Sequence, residues 1–227
     1  MPTILITGAN RGIGLDVARA YAADGWRVIA ANRTPFAAEA AAMLGSVVEE
    51  IPYDALDDAA TDDLAKRLRG RPVDVLFCAA ELRGGERLKP DVITRDVWRP
   101  IMLTNAYAPL RLASLLEPNL RAGSGKVLAA ISRHASTLAT DGHASDFAYR
   151  ASRAALNQLW RTLSVEWRDW GCKALLLCPD SMQPPQGATP GFPTRSDAVA
   201  SLRTLIASVS LEQSGQHWSA DGHVLPW

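Results

Sequence analysis

The chain has 227 residues, 48% hydrophobic and 21% charged, with 24 basic residues balancing 24 acidic ones. This is ordinary globular composition, read as a single domain over 1–227 that can bury its core without disulfide or metal staples. A formal net charge of zero offers no bulk field for nucleic acid or a membrane surface, and no apolar run approaches the length of a membrane span.

Taken in chain order, short apolar runs alternate with longer segments of helical period. Thr3–Thr7 reads as a buried strand and leads into the glycine-rich TGANRGIG of Thr7–Gly14, with a helix over Gly14–Ala23. Strands follow at Arg27–Ala31 and Val47–Tyr53, then a helix at Thr61–Leu68 behind an acidic first turn. Val73–Cys78 is the fourth strand, Asn105–Leu116 a helix, Lys126–Ile131 the fifth strand, and Tyr149–Trp167 a long helix. Lys173–Cys178 is the sixth strand, Pro179–Pro193 a Pro/Gly-rich loop, and Arg195–Val209 the last helix, with Ser196 and Asp197 near its start. Gln216–Trp218 suits a seventh strand. Continuous apolar runs are what strands covered on both faces require. The alternation predicts an α/β fold: a Rossmann-type, doubly wound parallel sheet of about seven strands with helices on both faces.

Cys78, Cys172 and Cys178 lie on apolar segments and read as small buried hydrophobes of a reducing compartment. Neither they nor His134, His143, His217 and His223 have metal-ligand spacing, so no metal site is expected. Met1–Thr7 lacks a basic leader, and a soluble, cytoplasmic protein is expected.

The glycine loop is the most specific motif. It follows a strand and opens a helix, the context that a phosphate cradle needs. Gly8 permits the tight turn, Gly12 lets backbone approach a pyrophosphate, and Gly14 allows close packing. Free N–H groups at the helix start attract the anion. T-G-x-x-x-G-x-G at this place resembles the short-chain dehydrogenase/reductase family. The YRASRAALN of 149–157 and the SGQHWSADGHVLPW of 214–227 resemble its C-factor or sniffer-like carbonyl reductase branch.

The resemblance implies a nicotinamide dinucleotide held by Gly8, Asn10, Arg11, Gly12, Ile13 and Gly14, by Asn32 and Arg33 after the second strand, and by Asp54 beside the adenine. Ala79 and Ala80 after the fourth strand, Pro179 after the sixth, and Tyr149 and Arg153 complete the set. An acid at the end of the second strand would bond a ribose 2′-hydroxyl and repel a 2′-phosphate. Here Asn32-Arg33 stands there, with Arg11 nearby, and two guanidinium groups suit a phosphate monoester. NADP(H) is preferred, with NAD(H) the alternative.

The family's chemistry implies Tyr149 as general acid, Asn105 as support for a water chain, and Ser132 as the carbonyl-orienting serine, with Ser136 as the other candidate. Phenol titrates near 10 and needs a neighbouring cation to work near neutral pH. The family's lysine is Arg153 here, four residues on and so on the same helix face. A guanidinium does not release a proton, and Arg153→Lys is expected to raise carbonyl reduction. Two further signatures depart: CAAE at 78–81 stands for N-N-A-G, and Pro179-Asp180, followed by Ser181 and Met182, stands for P-G.

The expected function is NADP(H)-dependent interconversion of a carbonyl and an alcohol, on a small and fairly apolar substrate. The second reading is a dinucleotide-binding regulator or scaffold with little chemistry. Assembly as a homodimer or homotetramer is expected, with the Asn105 and Tyr149 helices as the main interface and the Trp218–Trp227 tail nearby.

Overall fold

The computed structural model describes residues 1–85, 90–139, 146–179 and 194–227. The loop at 180–193, with Asp180, Ser181 and Met182, lies outside the described residues, as does His143.

The apolar runs form seven parallel strands: β1 Thr3–Thr7, β2 Arg27–Asn32, β3 Val48–Pro52, β4 Val75–Cys78, β5 Val127–Ile131, β6 Lys173–Cys178 and β7 Gln216–Ser219. They lie in the order β3-β2-β1-β4-β5-β6-β7. Between them run α1 Gly12–Ala23, α2 Ala38–Leu44, α3 Asp58–Arg67, α4 Arg95–Met102, α5 Ala108–Leu115, α6 Glu117–Ala122, α7 Phe147–Glu166 and α8 Arg195–Ser208.

Because side chains alternate along a strand, the sheet sorts its apolar residues into two layers. Leu5, Ile29, Leu76, Leu128 and Leu176 point to one face, where Leu64 of α3, Leu112 of α5 and Trp160 of α7 cover them. Ile4, Ile6, Val28, Phe77 and Leu175 point to the other, under Val17 of α1 and Leu202 of α8. The chain winds outward from β1 to β3, then returns beside β1 as β4. The loops after β1 and β4 therefore part in opposite directions and leave a crevice at their C-terminal ends.

Several boundaries differ from the sequence reading, each for a local reason. Helix α3 starts at Asp58 rather than Thr61, because the Asp57 carboxylate accepts from Ala59 N at 2.8 Å and caps it. Thr194 and Asp197 form a capping box on α8, so Thr194 is its cap. The helix predicted from Asn105 begins a full element earlier. Helix α4 runs into a π turn at Leu103–Tyr107 before α5. Pro109 has no N–H for the Asn105 carbonyl four residues back, and its ring widens the turn. The short helices α2 and α6 carry too few residues for a readable period.

The fourth strand starts at Val75 rather than Val73, because Asp74 is used as a staple. Its Oδ2 accepts from Thr3 N at 2.7 Å, and its Oδ1 accepts from Ser124 N at 2.8 Å and Gly125 N at 3.1 Å. A Cβ on Gly123 would lie 2.1 Å from the Val73 carbonyl oxygen, so this approach requires glycine.

The C-terminal tail folds back on its own chain. Leu225 N donates to His217 O at 2.7 Å, and Ala139 N donates to Trp227 O at 3.0 Å. The Arg161 guanidinium lies 4.7 Å from the centre of the Trp227 ring. Among the described residues no helix is long and apolar enough to cross a membrane.

The staple makes a stability prediction. Asp74→Ala strands three backbone donors at once and should cost about 3 kcal/mol or more. Urea denaturation of the variant beside the parent measures it.

Candidate functional site

The crevice between the β1 and β4 loops is lined by Gly8, Asn10, Arg11, Gly12, Ile13 and Gly14 on one side and by Ala79 to Leu82 on the other. The two sides are joined by backbone. The Thr7 hydroxyl accepts from Ala79 N and Ala80 N, both at 3.2 Å. A Cβ on Gly8 would lie 2.9 Å from Ala80 Cα, and one on Gly14 would lie 2.3 Å from the Gly8 carbonyl oxygen. Gly12, at φ +56°, has only open space where a Cβ would be. Gly8 and Gly14 are thus needed for packing, while Gly12 leaves the N-terminus of α1 bare toward the crevice. Arg11 precedes that helix with no side-chain cap, so its first N–H groups are available to an anion.

The adenosine end is built by the loop after β2. Asn10 Nδ2 donates to Thr34 O at 3.0 Å and to Thr34 Oγ1 at 3.2 Å, tying this loop to the glycine loop. Arg11, Arg33, Thr34, Tyr53 and Asp54 line the crevice here. Asp54 also caps its own turn, accepting from Leu56 N at 3.0 Å. Asn32 does not line the crevice. It is buried and donates to Glu50 Oε1 at 2.9 Å, because the strand period turns it to the opposite face from Ala31. Glu50 is further engaged by Phe36 N at 3.0 Å. A bare helix N-terminus with two arginines beside it can hold the phosphates of a dinucleotide.

The nicotinamide end departs most from the sequence reading. Glu81, at the last position of CAAE, points its carboxylate between Tyr149 and Arg153. Its Oε2 accepts from Arg153 Nη2 at 2.7 Å and from the Tyr149 hydroxyl at 3.0 Å. Its Oε1 accepts from Arg133 Nη2 at 2.9 Å. Arg153 is 2% exposed, with its Nε buried and lacking a hydrogen-bond partner, so Glu81 provides the main compensation for its charge. Arg83 and Arg153 place their guanidinium carbons 5.2 and 5.5 Å from the centre of the Tyr149 ring. Tyr149 is 1% exposed and lies behind Glu81, which lines the crevice while Tyr149 does not. The wall beside Tyr149 is charged, where a fairly apolar substrate site was expected.

Burial by itself would raise the Glu81 carboxyl. The charges of Arg153 and Arg133, with hydrogen bonds from Arg153 and Tyr149, outweigh it and hold the group down at about 2.

Neither expected serine is hydrogen-bonded to Tyr149, whose hydroxyl donates to Glu81. Ser132 is buried and donates to Asn157 Oδ1 at 2.7 Å, and Ser136 accepts from Asn157 Nδ2 at 2.9 Å and donates to Arg133 O at 2.6 Å. Alternation beyond β5 explains this. Ser132 continues the face of Leu128 and Ala130 toward α7, while Arg133 continues the face of Ile131, and both Ile131 and Arg133 line the crevice. Asn105 is fully buried. Its Nδ2 donates to Leu82 O at 2.8 Å and Ser152 Oγ at 2.9 Å, and its Oδ1 accepts from Leu82 N at 2.8 Å. It pins the β4 loop that carries Glu81. Pro179 lines the crevice as expected, and Arg195 at the start of α8 joins it, paired with Asp16 at 2.5 Å.

Sequence reading gave no role to Glu81 and Arg133. Strand alternation through ISRHAS was the available signal for Arg133. For Glu81 it was an acid in place of glycine directly after a buried strand.

The model of the short chain dehydrogenase family matches residues 2–189. C-signal of Myxococcus xanthus is 32% identical over 156 residues, covering 69% of this chain and 93% of that protein. Galactitol 2-dehydrogenase (L-tagatose-forming) of Cereibacter sphaeroides is 33% identical over 179 residues, 77% of this chain and 68% of that one. A carbonyl reductase from Pseudomonas aeruginosa in complex with NADP superposes over 100% of both chains with a TM-score of 0.84 at 28% identity.

The depressed Glu81 carboxyl predicts a pH dependence. The stability it contributes is complete above its ordinary value of 4.5 and is lost as pH falls toward about 2. Thermal melts between those limits should fall more steeply for the parent than for Glu81→Gln.

Proposed function

Because the chain belongs to the short-chain dehydrogenase family, we propose that it is an NADP(H)-dependent oxidoreductase that interconverts a small carbonyl compound and an alcohol. The observation that carries this reading is the crevice, which runs from the bare N-terminus of α1 and its neighbouring arginines to Glu81 and Arg133, directly in front of Tyr149. When bound, the reduced nicotinamide supplies hydride. Gly12 and its neighbours hold the pyrophosphate with backbone N–H groups, and Arg11 and Arg33 hold the 2′-phosphate. Tyr149 gives its proton to the carbonyl oxygen. Arg153 supplies the nearby cation and Arg133 the crevice-facing donor that Ser132 does not. Asn105 keeps the β4 loop in register with Tyr149.

One observation favours the second reading, a dinucleotide-binding regulator. The Tyr149 hydroxyl is buried and already bonded to an internal carboxylate. Assembly as a homodimer or homotetramer through α5 and α7 is also proposed. Tyr107 and Leu115, and Phe147 and Val165 on α7, leave apolar surface exposed on this side. Sedimentation equilibrium is the check.

Calorimetric titration should show NADPH binding more tightly than NADH, and Arg11→Ala/Arg33→Ala should erase about 10- to 100-fold of that preference. Equal affinities in the parent would remove the NADP(H) assignment. NADPH consumption with a panel of aldehydes and ketones should fall at least about 100-fold in Tyr149→Phe. Tight NADPH binding without consumption would establish the regulator instead.

A further inference from the structure

Glu81 shows how this site holds a carboxylate. Three donors from two elements converge on its two oxygens. Tyr149 and Arg153, both on α7, share Oε2, and Arg133, from the turn after β5, takes Oε1. Both arginine side chains are largely buried, at 12% and 2% exposed, so each needs an anion to offset its desolvation. The glutamate is the more accessible partner. At 21% exposed and on the crevice wall, it can turn toward solvent, whereas Arg153 has no such path.

The geometry points to a substrate-class assignment: the Tyr149–Arg153–Arg133 group is a seat for a 2-oxo acid, or the corresponding 2-hydroxy acid, and Glu81 fills that seat until the substrate displaces it. This deepens the oxidoreductase reading and rests on it. The two oxygens of Glu81 mark two oxygen positions. A 2-oxo acid also presents two adjacent oxygens on one edge. Its keto oxygen takes the place of Oε2, against the proton donor Tyr149 and the Arg153 cation. Its carboxylate oxygen takes the place of Oε1, against Arg133, and a guanidinium fork suits this partner. The exchange swaps one carboxylate for another, so the arginine pair keeps one negative charge beside it, now nearest Arg133, while Arg153 keeps an oxygen acceptor. In the reduction the keto carbon accepts hydride from the nicotinamide, the carbon–oxygen π pair moves to oxygen, and that oxygen takes the Tyr149 proton. The carboxylate is unchanged.

The test uses pyruvate as the probe and butane-2,3-dione as an uncharged match of its shape. Each is titrated calorimetrically into the protein with NADP⁺ present, which cannot reduce them. Glu81→Gly and the shape-preserving Glu81→Gln remove the competing carboxylate. Both should bind pyruvate at least about tenfold more tightly than the parent, with a clearly smaller gain for the dione, which shares only the relief of displacement. Adding Arg133→Met to either should abolish the gain. No gain for pyruvate in either variant, or an equal gain for the dione, overturns the assignment. NADPH consumption is read separately. Pyruvate binding that follows this pattern without consumption by the parent leaves the carboxylate seat standing and removes the oxidoreductase reading. Consumption with the dione, and no pyruvate binding in any variant, does the reverse.

Discussion

The contact on which the site depends is the approach of two backbone segments at the C-terminal ends of β1 and β4. There the space for a Cβ on Gly8 is taken by Ala80, and the space for one on Gly14 by the Gly8 carbonyl. The parallel order of the sheet makes the two loops diverge, and this contact, with the Thr7 hydroxyl bonding Ala79 and Ala80, keeps them adjacent. The glycine loop can then present N–H groups to an anion, and the β4 loop can carry Glu81 to the far end of the same crevice. A side chain at either glycine would move both loops and with them the relation between the cofactor seat and Tyr149.

Electrostatics then divides the crevice in two. Arg11 and Arg33 leave the adenosine end positive and accessible, with Glu50 tied up by Asn32 and Phe36. The opposite end is compensated internally, since Glu81 meets two guanidinium groups and a phenol. A lysine and a glycine in these places would give a cation and an empty space. Arginine and glutamate give an ion pair. Two departures that look separate along the chain are therefore one arrangement in space. That arrangement changes what replacing Arg153 alone would do, because the Glu81 carboxylate would remain to capture a lysine.

The rest of the α7 face supports this arrangement from behind. Asn157 bonds Ser132 and Ser136, and Asn105 bonds Ser152 and the backbone of Leu82. These buried polar groups find partners in one another, as interior polar groups must. The two serines bond each other, and Ser136 bonds the Arg133 carbonyl, which fixes the turn that presents Arg133. The tail, with Trp227 under Arg161, closes against the same helix.

By itself the sequence determined the sheet, the helices long enough to show a period, and the place of the glycine loop between a strand and a helix. Those depend on local pattern: apolar runs, a 3.6-residue period, and glycine spacing between a strand and a helix. Tertiary structure alone decided which polar side chains meet. Glu81 and Arg153 lie 72 residues apart, and their bond exists only because β4, β5 and α7 converge. The two-residue period of the backbone turns the Asn32 side chain to Glu50 and the Ser132 hydroxyl to Asn157, which position along the chain does not reveal. The π turn that holds Asn105 arose from one proline whose effect falls four residues earlier. Motif spacing carries the direction of a chain, but the facing of a side chain at the end of a strand is set by register and by what packs against it.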